Sequence, residues 1–245
     1  MDPLIYIDNH DQTNPYLNLA LEEYAVRHLD VSRHAYLFLY VNDPCVVVGK
    51  HQNVLEEVNL KTAAQYHIPV IRRISGGGAV YHDQGNLNFS YITRHTLKDF
   101  NNYRKFLQPI IEVLESYGLH IDITERNNLH VDGNKVSGNA QFSSREHMLS
   151  HGTLLVDSDI SSMQALLKTS LSQRFHSRST KSISSTVTNL ADHTALPFSI
   201  PGLKNDLIKV LCGSNPAYHT FSEPELQTIR SWAINRYQSW AWNYG

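Results

Sequence analysis

Cysteine is scarce in this 245-residue chain, with only Cys45 and Cys212. That excludes a disulfide framework, and the pair lacks the spacing of a zinc finger. No apolar run approaches the ~20 residues of a membrane span. Neither charge is in excess: 21 Lys and Arg stand against 23 Asp and Glu, a formal net charge of -2. A general nucleic-acid binder would be more basic. The opening MDPLIYIDNHDQ carries acids where a signal peptide carries basic residues. These absences point to a cytoplasmic protein in a reduced compartment, with no nucleic-acid and no membrane partner.

Hydrophobic residues make up 41% and charged residues 18%, enough for a packed core and too apolar for disorder. The length suits one large domain or two small ones. Neither an internal repeat nor a long linker interrupts the chain, so residues 1–245 read as a single domain.

Residues 4–7 read as a short strand. Asn14-Pro15 then reads as an N-cap with proline in the first helical position. Leu17, Ala20, Leu21, Tyr24, Ala25 and His28 follow at helical spacing and predict one buried face. Tyr36–Val41 and Cys45–Gly49 are β-rich runs around an Asn-Asp-Pro turn. A helix is expected over 56–67, and strands over Val70–Arg73, Gly76–Tyr81 and Leu87–Ile92. Tyr103, Phe106, Leu107, Ile110, Leu114 and Tyr117 mark an amphipathic helix ending at Gly118, despite Pro109. Residues 129–141 read as a hairpin turning at Asp132-Gly133-Asn134. Another strand is expected at Gly152–Val156, and 172–188 read as a mobile polar loop. Two helices, near 203–212 and 223–237, close the chain, with Asn205 and Ser222 as cap candidates. The order gives an α+β fold with a mixed, mainly antiparallel sheet packed by helices.

Two segments carry chemistry. In Arg72-Arg73-Ile74-Ser75-Gly76-Gly77-Gly78-Ala79-Val80-Tyr81, consecutive glycines allow close backbone approach and aim N–H groups at a ligand. The adjacent arginines add fork donors for phosphate, so an anion cradle is favoured over a plain glycine turn. No dinucleotide fingerprint is formed, because Tyr81 stands where glycine is required. The one Gly-Lys, Gly49-Lys50, precedes His51 and makes no P-loop. The second segment starts a strand with Lys135 straight after a tight turn, a rigid mount for a charge. An ordinary exposed strand lysine is the competing reading. His147 and His151 are four apart, but on a strand that spans ~13 Å, too far for one metal. The serine-hydrolase elbow is absent around Ser75, where Arg73 occupies its first position.

Together RRISGGGAVYHDQGNLNFSY and ERNNLHVDGNKVSGNAQ, followed by HGTLLVDSDI, resemble the lipoate–protein ligase A family. The resemblance extends to NLALEE (Asn18–Glu23), CVVVGKHQN (Cys45–Asn53), STVTNL (Ser185–Leu190) and SWAWNYG (Ser239–Gly245). It implies the biotin/lipoate ligase catalytic domain, related to class II aminoacyl-tRNA synthetases. It also implies a two-step reaction. ATP and lipoate give lipoyl-adenylate, and a lysine of an acceptor lipoyl domain then takes the acyl group. The implied acceptors are lipoyl domains of 2-oxoacid dehydrogenase complexes and the glycine cleavage H protein.

The resemblance assigns roles residue by residue. Arg73 contacts nucleotide phosphates, and Gly78, Ala79, Val80 and Tyr81 line the nucleotide site. Lys135 is catalytic, touching both the α-phosphate and the acyl carbonyl. Gly76, Gly77, His151 and Gly152 flank the lipoate. Magnesium enters with ATP, and no metal ligand set is assigned. Asn127 and Asn128, where many members carry Asn-Asp, are the candidates. Many bacterial members also carry a small accessory domain after the tryptophan-rich segment, in some cases as a separate subunit. This sequence has none after Gly245. Two rivals remain: a lipoyl- or octanoyltransferase of the same fold, and a non-catalytic binding relative. The transferases use a cysteine near Ile121–Thr124 or Thr169-Ser170, and neither region has one. Cys45 and Cys212 read as packing residues.

Overall fold

The computed structural model describes residues 4–167, 179–183 and 185–245. In chain order it forms β1 (Ile5–Ile7), α1 (Pro15–His28), β2 (Tyr36–Tyr40), β3 (Cys45–Val48), α2 (Val54–Glu57), α3 (Leu60–Gln65), β4 (Val70–Arg72), β5 (Val80–His82) and β6 (Asn86–Arg94). Then come α4 (Tyr103–Ser116), β7 (Asp122–Ile123), β8 (Leu129–Val131), β9 (Asn134–Ser137), β10 (Asn139–Ser143), β11 (His147–Leu155) and α5 (Ile160–Leu167). The chain closes with α6 (Ile200–Cys212), β12 (Tyr218–His219), α7 (Glu223–Trp232) and α8 (Trp240–Tyr244).

The main sheet has six strands in the order β10-β11-β6-β2-β1-β12. Its β10–β11–β6–β2 part is antiparallel, and β1 joins both β2 and β12 in parallel. Two three-stranded sheets flank it, β4-β3-β5 and β7-β8-β9. The mixed, mainly antiparallel α+β architecture expected from the sequence is the one observed.

Strand β2, Tyr-Leu-Phe-Leu-Tyr, is buried throughout because helices cover both faces of the sheet. Leu37 and Leu39 pack with Phe106, Ile110 and Leu114 of α4 and with Leu203 and Leu207 of α6. Tyr36, Phe38 and Tyr40 turn the other way, onto α1, Ile229 and Tyr237. A strand buried on both faces shows no polar alternation. Each such Leu or Phe contributes roughly 1.5–3 kcal/mol by leaving water.

Asn14 caps α1 as expected, accepting from the Tyr16 and Leu17 amides. The helix departs from the one-face expectation. Nearly all of it is buried, Glu22 and Glu23 included, while His28 is exposed. The helix expected over 56–67 is two short ones, because Asn59 starts a fresh cap on the Thr62 amide. Gly76–Ala79 is loop, and the strand begins only at Val80. Ser199, not Asn205, caps α6, since Pro201 seats the first turn and Asn205 falls inside it. Ser222 caps α7 with Glu225 in a capping box. Residues 172–178 and 184 of the expected polar loop, like Thr169-Ser170, lie outside the described residues.

The tryptophan-rich end clamps β4. The Arg72 guanidinium donates to the carbonyls of Gly49, Gln52, Trp242 and Asn243. Trp242 Nε1 returns a bond of 2.8 Å to the Arg72 carbonyl, and the Arg236 guanidinium lies 3.8 Å from the Trp242 ring centre. Arg72 is thus a structural strap beneath the glycine run that follows it. No helix among the described residues is long and apolar enough to cross a membrane.

Candidate active site

A cavity of about 300 Å³ opens where the three sheets meet. Its walls come from α1 (Leu19), β2 (Tyr40), β3 (Val47), β5 (Val80, His82), β6 (Asn88), β9 (Lys135) and β11 (His151, Gly152). The glycine loop forms one rim with Gly77, Gly78 and Ala79.

The loop is shaped from below by Arg73, which is 7% exposed. Its guanidinium donates to the carbonyls of Val47 (3.2 Å), Gly76 (2.6 Å) and Gly78 (2.9 Å), and Nε donates to Ser75 Oγ at 3.0 Å. Gly77 holds φ +92°, a region that favours glycine. A Cβ on Gly49, just after β3, would stand 2.2 Å from the Gly77 carbonyl oxygen, so glycine there lets the end of that strand touch the loop. Burial lowers the Arg73 pKa to about 10, leaving it a cation at neutral pH.

Lys135 is mounted rigidly. Asp132 (φ 49°) and Gly133 (φ 77°) make the tight turn before it, with the two positive angles of a type I′ hairpin. On its other side, residues 186–188 pair with it. Lys135 N–H donates to the Thr186 carbonyl at 2.9 Å, and Thr188 N–H donates to the Lys135 carbonyl at 3.1 Å. This part of the expected mobile loop is therefore ordered against the site. Burial lowers the Lys135 pKa, and no carboxylate among the described residues compensates it. Even a half-buried cation without a counter-ion is costly unless a ligand supplies one.

Residues 180–183 form another part of the cavity lining. Ser182 Oγ accepts from the Ala79 amide (2.9 Å) and from Gln52 Nε2 (3.1 Å). Ser182 N–H donates to the Glu57 carboxylate, and Lys181 pairs with Glu56. The Ala79 amide of the cradle is thus bonded from within the chain.

Behind the loop runs a buried polar chain. Ser75 Oγ lies 2.7 Å from His151 Nε2, and His151 Nδ1 lies 3.0 Å from Glu22 Oε1. Ser90 Oγ donates to the same Glu22 oxygen at 2.5 Å. Burial alone would raise the Glu22 pKa. The His151 charge, its hydrogen bond and that of Ser90 outweigh it, so the carboxylate titrates below its ordinary value. Glu23, next to it, has a structural role: it takes bonds from Arg27, Arg236 and Tyr237.

Of the expected site residues, Arg73, Gly77, Gly78, Ala79, Val80, Lys135, His151, Gly152 and Asn128 share this cavity. Three fall elsewhere. Tyr81 is buried against Val46, Val48, Leu155 and Met163. Successive strand residues face opposite ways, so β5 sends Val80 and His82 to the cavity and Tyr81 behind it. Gly76 sits off the wall, its carbonyl held by Arg73. Asn127 is a turn residue at φ 61° whose carbonyl accepts from Asn139 Nδ2. Glu22, Ser75, His82, Arg126 and Ser182 were not read from the sequence. The signal for Glu22 was an acid pair within an otherwise apolar helix, where burial demands partners.

Among the described residues no group of three or more His, Cys, Asp or Glu could hold a metal. His147 bonds the Leu29 carbonyl and is separate from His151, as its strand spacing implied. Both cysteines are buried in the core. Burial raises both thiol pKa values, that of Cys212 to about 12, so neither supplies a thiolate nucleophile.

Two consequences can be measured. A Cβ on Gly152 would stand 2.0 Å from Asn139 Oδ1 and 2.6 Å from the Phe89 ring. Gly152→Ala is expected to destabilise the fold by about 1–3 kcal/mol, which a thermal melt reads as a fall of roughly 5 °C. The second concerns His82, whose pKa burial and then the Arg73 charge push from 6.5 down to about 3. Between those values the unfolded chain takes a proton that the folded chain refuses. Stability is therefore complete above pH 6.5 and declines as pH falls toward 3. The urea midpoint of His82→Phe should drop less between pH 7 and pH 4.5 than that of the parent.

A glycine cradle, a half-buried lysine without a carboxylate partner among the described residues and an apolar wall in one cavity define an enzyme domain for an anionic substrate with an apolar tail. The chain belongs to the lipoyl protein ligase A/B catalytic domain family, whose model matches residues 14–212. It is 41% identical to the lipoate-protein ligase LplJ of Bacillus subtilis, over 99% of this chain and 74% of that protein. A lipoate-protein ligase A bound with ATP superposes with a TM-score of 0.82 at 25% identity, over 100% of this chain and 99% of the other. A bi-partite lipoate protein ligase from Thermoplasma acidophilum, described with its E2 lipoyl domain, superposes with a TM-score of 0.83 at 25% identity, over 100% and 97% of the two chains.

Proposed function

We propose that this chain forms lipoyl-adenylate from ATP and lipoate in this cavity and passes the lipoyl group to a lysine of a lipoyl domain. The observation that carries the reading is the Lys135 ammonium. It is half-buried on the cavity wall without a carboxylate partner among the described residues.

A carboxylate attacking a phosphate meets charge repulsion. Lys135 can neutralise both groups and hold them in line. The lipoate oxygen then bonds the α-phosphorus, and pyrophosphate leaves with the electron pair of the broken bond. In the second step the acceptor amine adds to the acyl carbon. The same ammonium steadies the developing oxyanion until AMP departs. With the carboxylate at Lys135, the hydrocarbon tail meets the wall of Leu19, Tyr40 and Val47. The nucleotide phosphates lie along Gly77, Gly78 and Ala79, with Ser182 giving up the Ala79 amide.

Magnesium would enter on the phosphates and neutralise the leaving pyrophosphate. Protein ligands for it are few, because Mg²⁺ favours carboxylates and the described residues lining the cavity include no Asp or Glu; the Asn128 amide, near Lys135, is the candidate. The acceptors are lipoyl domains of 2-oxoacid dehydrogenase complexes or the glycine cleavage H protein. The reading takes the chain as one catalytic domain, with a separate accessory subunit as the alternative route to adenylation. Lipoate-dependent release of pyrophosphate from ATP tests the first step. Release that needs both lipoate and the folded protein supports the reading. Release that ignores lipoate contradicts it.

A further inference from the structure

The apolar wall of the cavity carries one polar group with nothing to bond. His82 is 3% exposed, lines the cavity beside Tyr40, Val47 and Asn88, and its Nε2 has no partner among the described residues. Asn88 is satisfied by its bonds to the Tyr40 carbonyl and to Asn86.

The proton on His82 Nε2 follows from backbone acceptors at some distance. Asn18 Nδ2 faces the carbonyls of Gln12 (2.8 Å) and Val41 (3.1 Å), and carbonyls can only accept. That fixes the Asn18 amide, so Asn42 Oδ1 accepts from the same Nδ2 at 2.9 Å. The Asn42 amide is then fixed too, and its Nδ2 donates to His82 Nδ1 at 3.0 Å. With Nδ1 accepting, a neutral ring carries its hydrogen on Nε2. The cavity therefore presents a rigid, neutral N–H donor in an apolar wall.

We propose that His82 is a specificity-determining residue that reads the far end of the acyl substrate, donating Nε2–H to a ring sulfur of the dithiolane. The assignment rests on the ligase reading, which puts the carboxylate at Lys135 and so leaves the ring to the part of the cavity lined by Leu19, Tyr40, Val47 and His82. A saturated hydrocarbon end would bury the donor unpaired, and an unpaired buried donor is penalised. Sulfur is a weak acceptor. The discrimination should thus be about tenfold, far short of the ~10⁴-fold of sites that read a hydroxyl.

The test compares lipoate with its carbocyclic analogue, in which a cyclopentane ring replaces the dithiolane, using kcat/KM for pyrophosphate release. The wild-type chain should prefer lipoate about tenfold. In His82→Phe both rates fall together with any loss of folded protein, but their ratio should approach one. Equal use of the two acids by the wild type overturns the proposal and leaves the ligase reading standing, whether or not the variant folds. So does a tenfold preference that survives unchanged in His82→Phe. If the wild type activates neither acid, the ligase reading itself fails.

Discussion

Lys135→Ala should slow lipoyl-adenylate formation by at least ~10²–10³-fold and leave the melting temperature nearly unchanged. The rate loss is that of removing one preorganised oxyanion donor, and here one group serves two anions. The fold should persist for reasons visible around it. The hairpin turn is made by Asp132 and Gly133, and the bonds to Thr186 and Thr188 come from the Lys135 backbone. No carboxylate among the described residues loses its partner. Pyrophosphate release and a thermal melt on the same sample read both halves. A loss below about fivefold would show that the ammonium is not where the charge develops.

Arg73→Lys should fail differently, losing activity and stability together. The guanidinium spreads its donors over three carbonyls and Ser75 Oγ. An ammonium is a point charge without the planar fork and cannot cover them all. The charge that helps to hold the buried Glu22 carboxylate ionised is kept, but the acceptors the ammonium cannot reach are left unpaired in the interior. Each buried acceptor left without its donor costs about 1–3 kcal/mol. Without its template the glycine loop no longer holds its amides in one geometry, and a misplacement near 1 Å can reduce the rate about 10²-fold. The contrast is diagnostic: Arg73→Lys lowers both the melting temperature and the rate, Lys135→Ala the rate alone.

Much of the site was legible because its chemistry is local. Glycines in a row and Asp-Gly before a lysine announce a loop and a turn whatever surrounds them. What the sequence hid was phase and partnership. The resemblance put Tyr81 in the nucleotide site, and a one-dimensional motif does not show which side of a strand a residue takes. The strand starts at Val80, and the parity places His82 on the cavity side instead. Helix α1 showed an apolar face at Leu17, Ala20 and Leu21, yet its opposite side is buried too, and Glu22 points into the His151–Ser75 chain. Residues 186–188 read as part of a mobile polar loop from composition, but their backbone, which composition does not report, pairs with Lys135. Asn42 was visible only as a turn residue. Its function depends on Asn18 and His82, both far from it in sequence.

The central claim is tested most directly by the intact mass of an apo lipoyl domain incubated with this protein, lipoate, magnesium and ATP. A second tube holds preformed lipoyl-adenylate in place of lipoate and ATP. The account predicts a gain of one lipoyl group on the acceptor lysine in both. A gain only from the adenylate would assign activation to a separate accessory subunit. No gain in either tube, with the protein folded, would contradict the ligase reading.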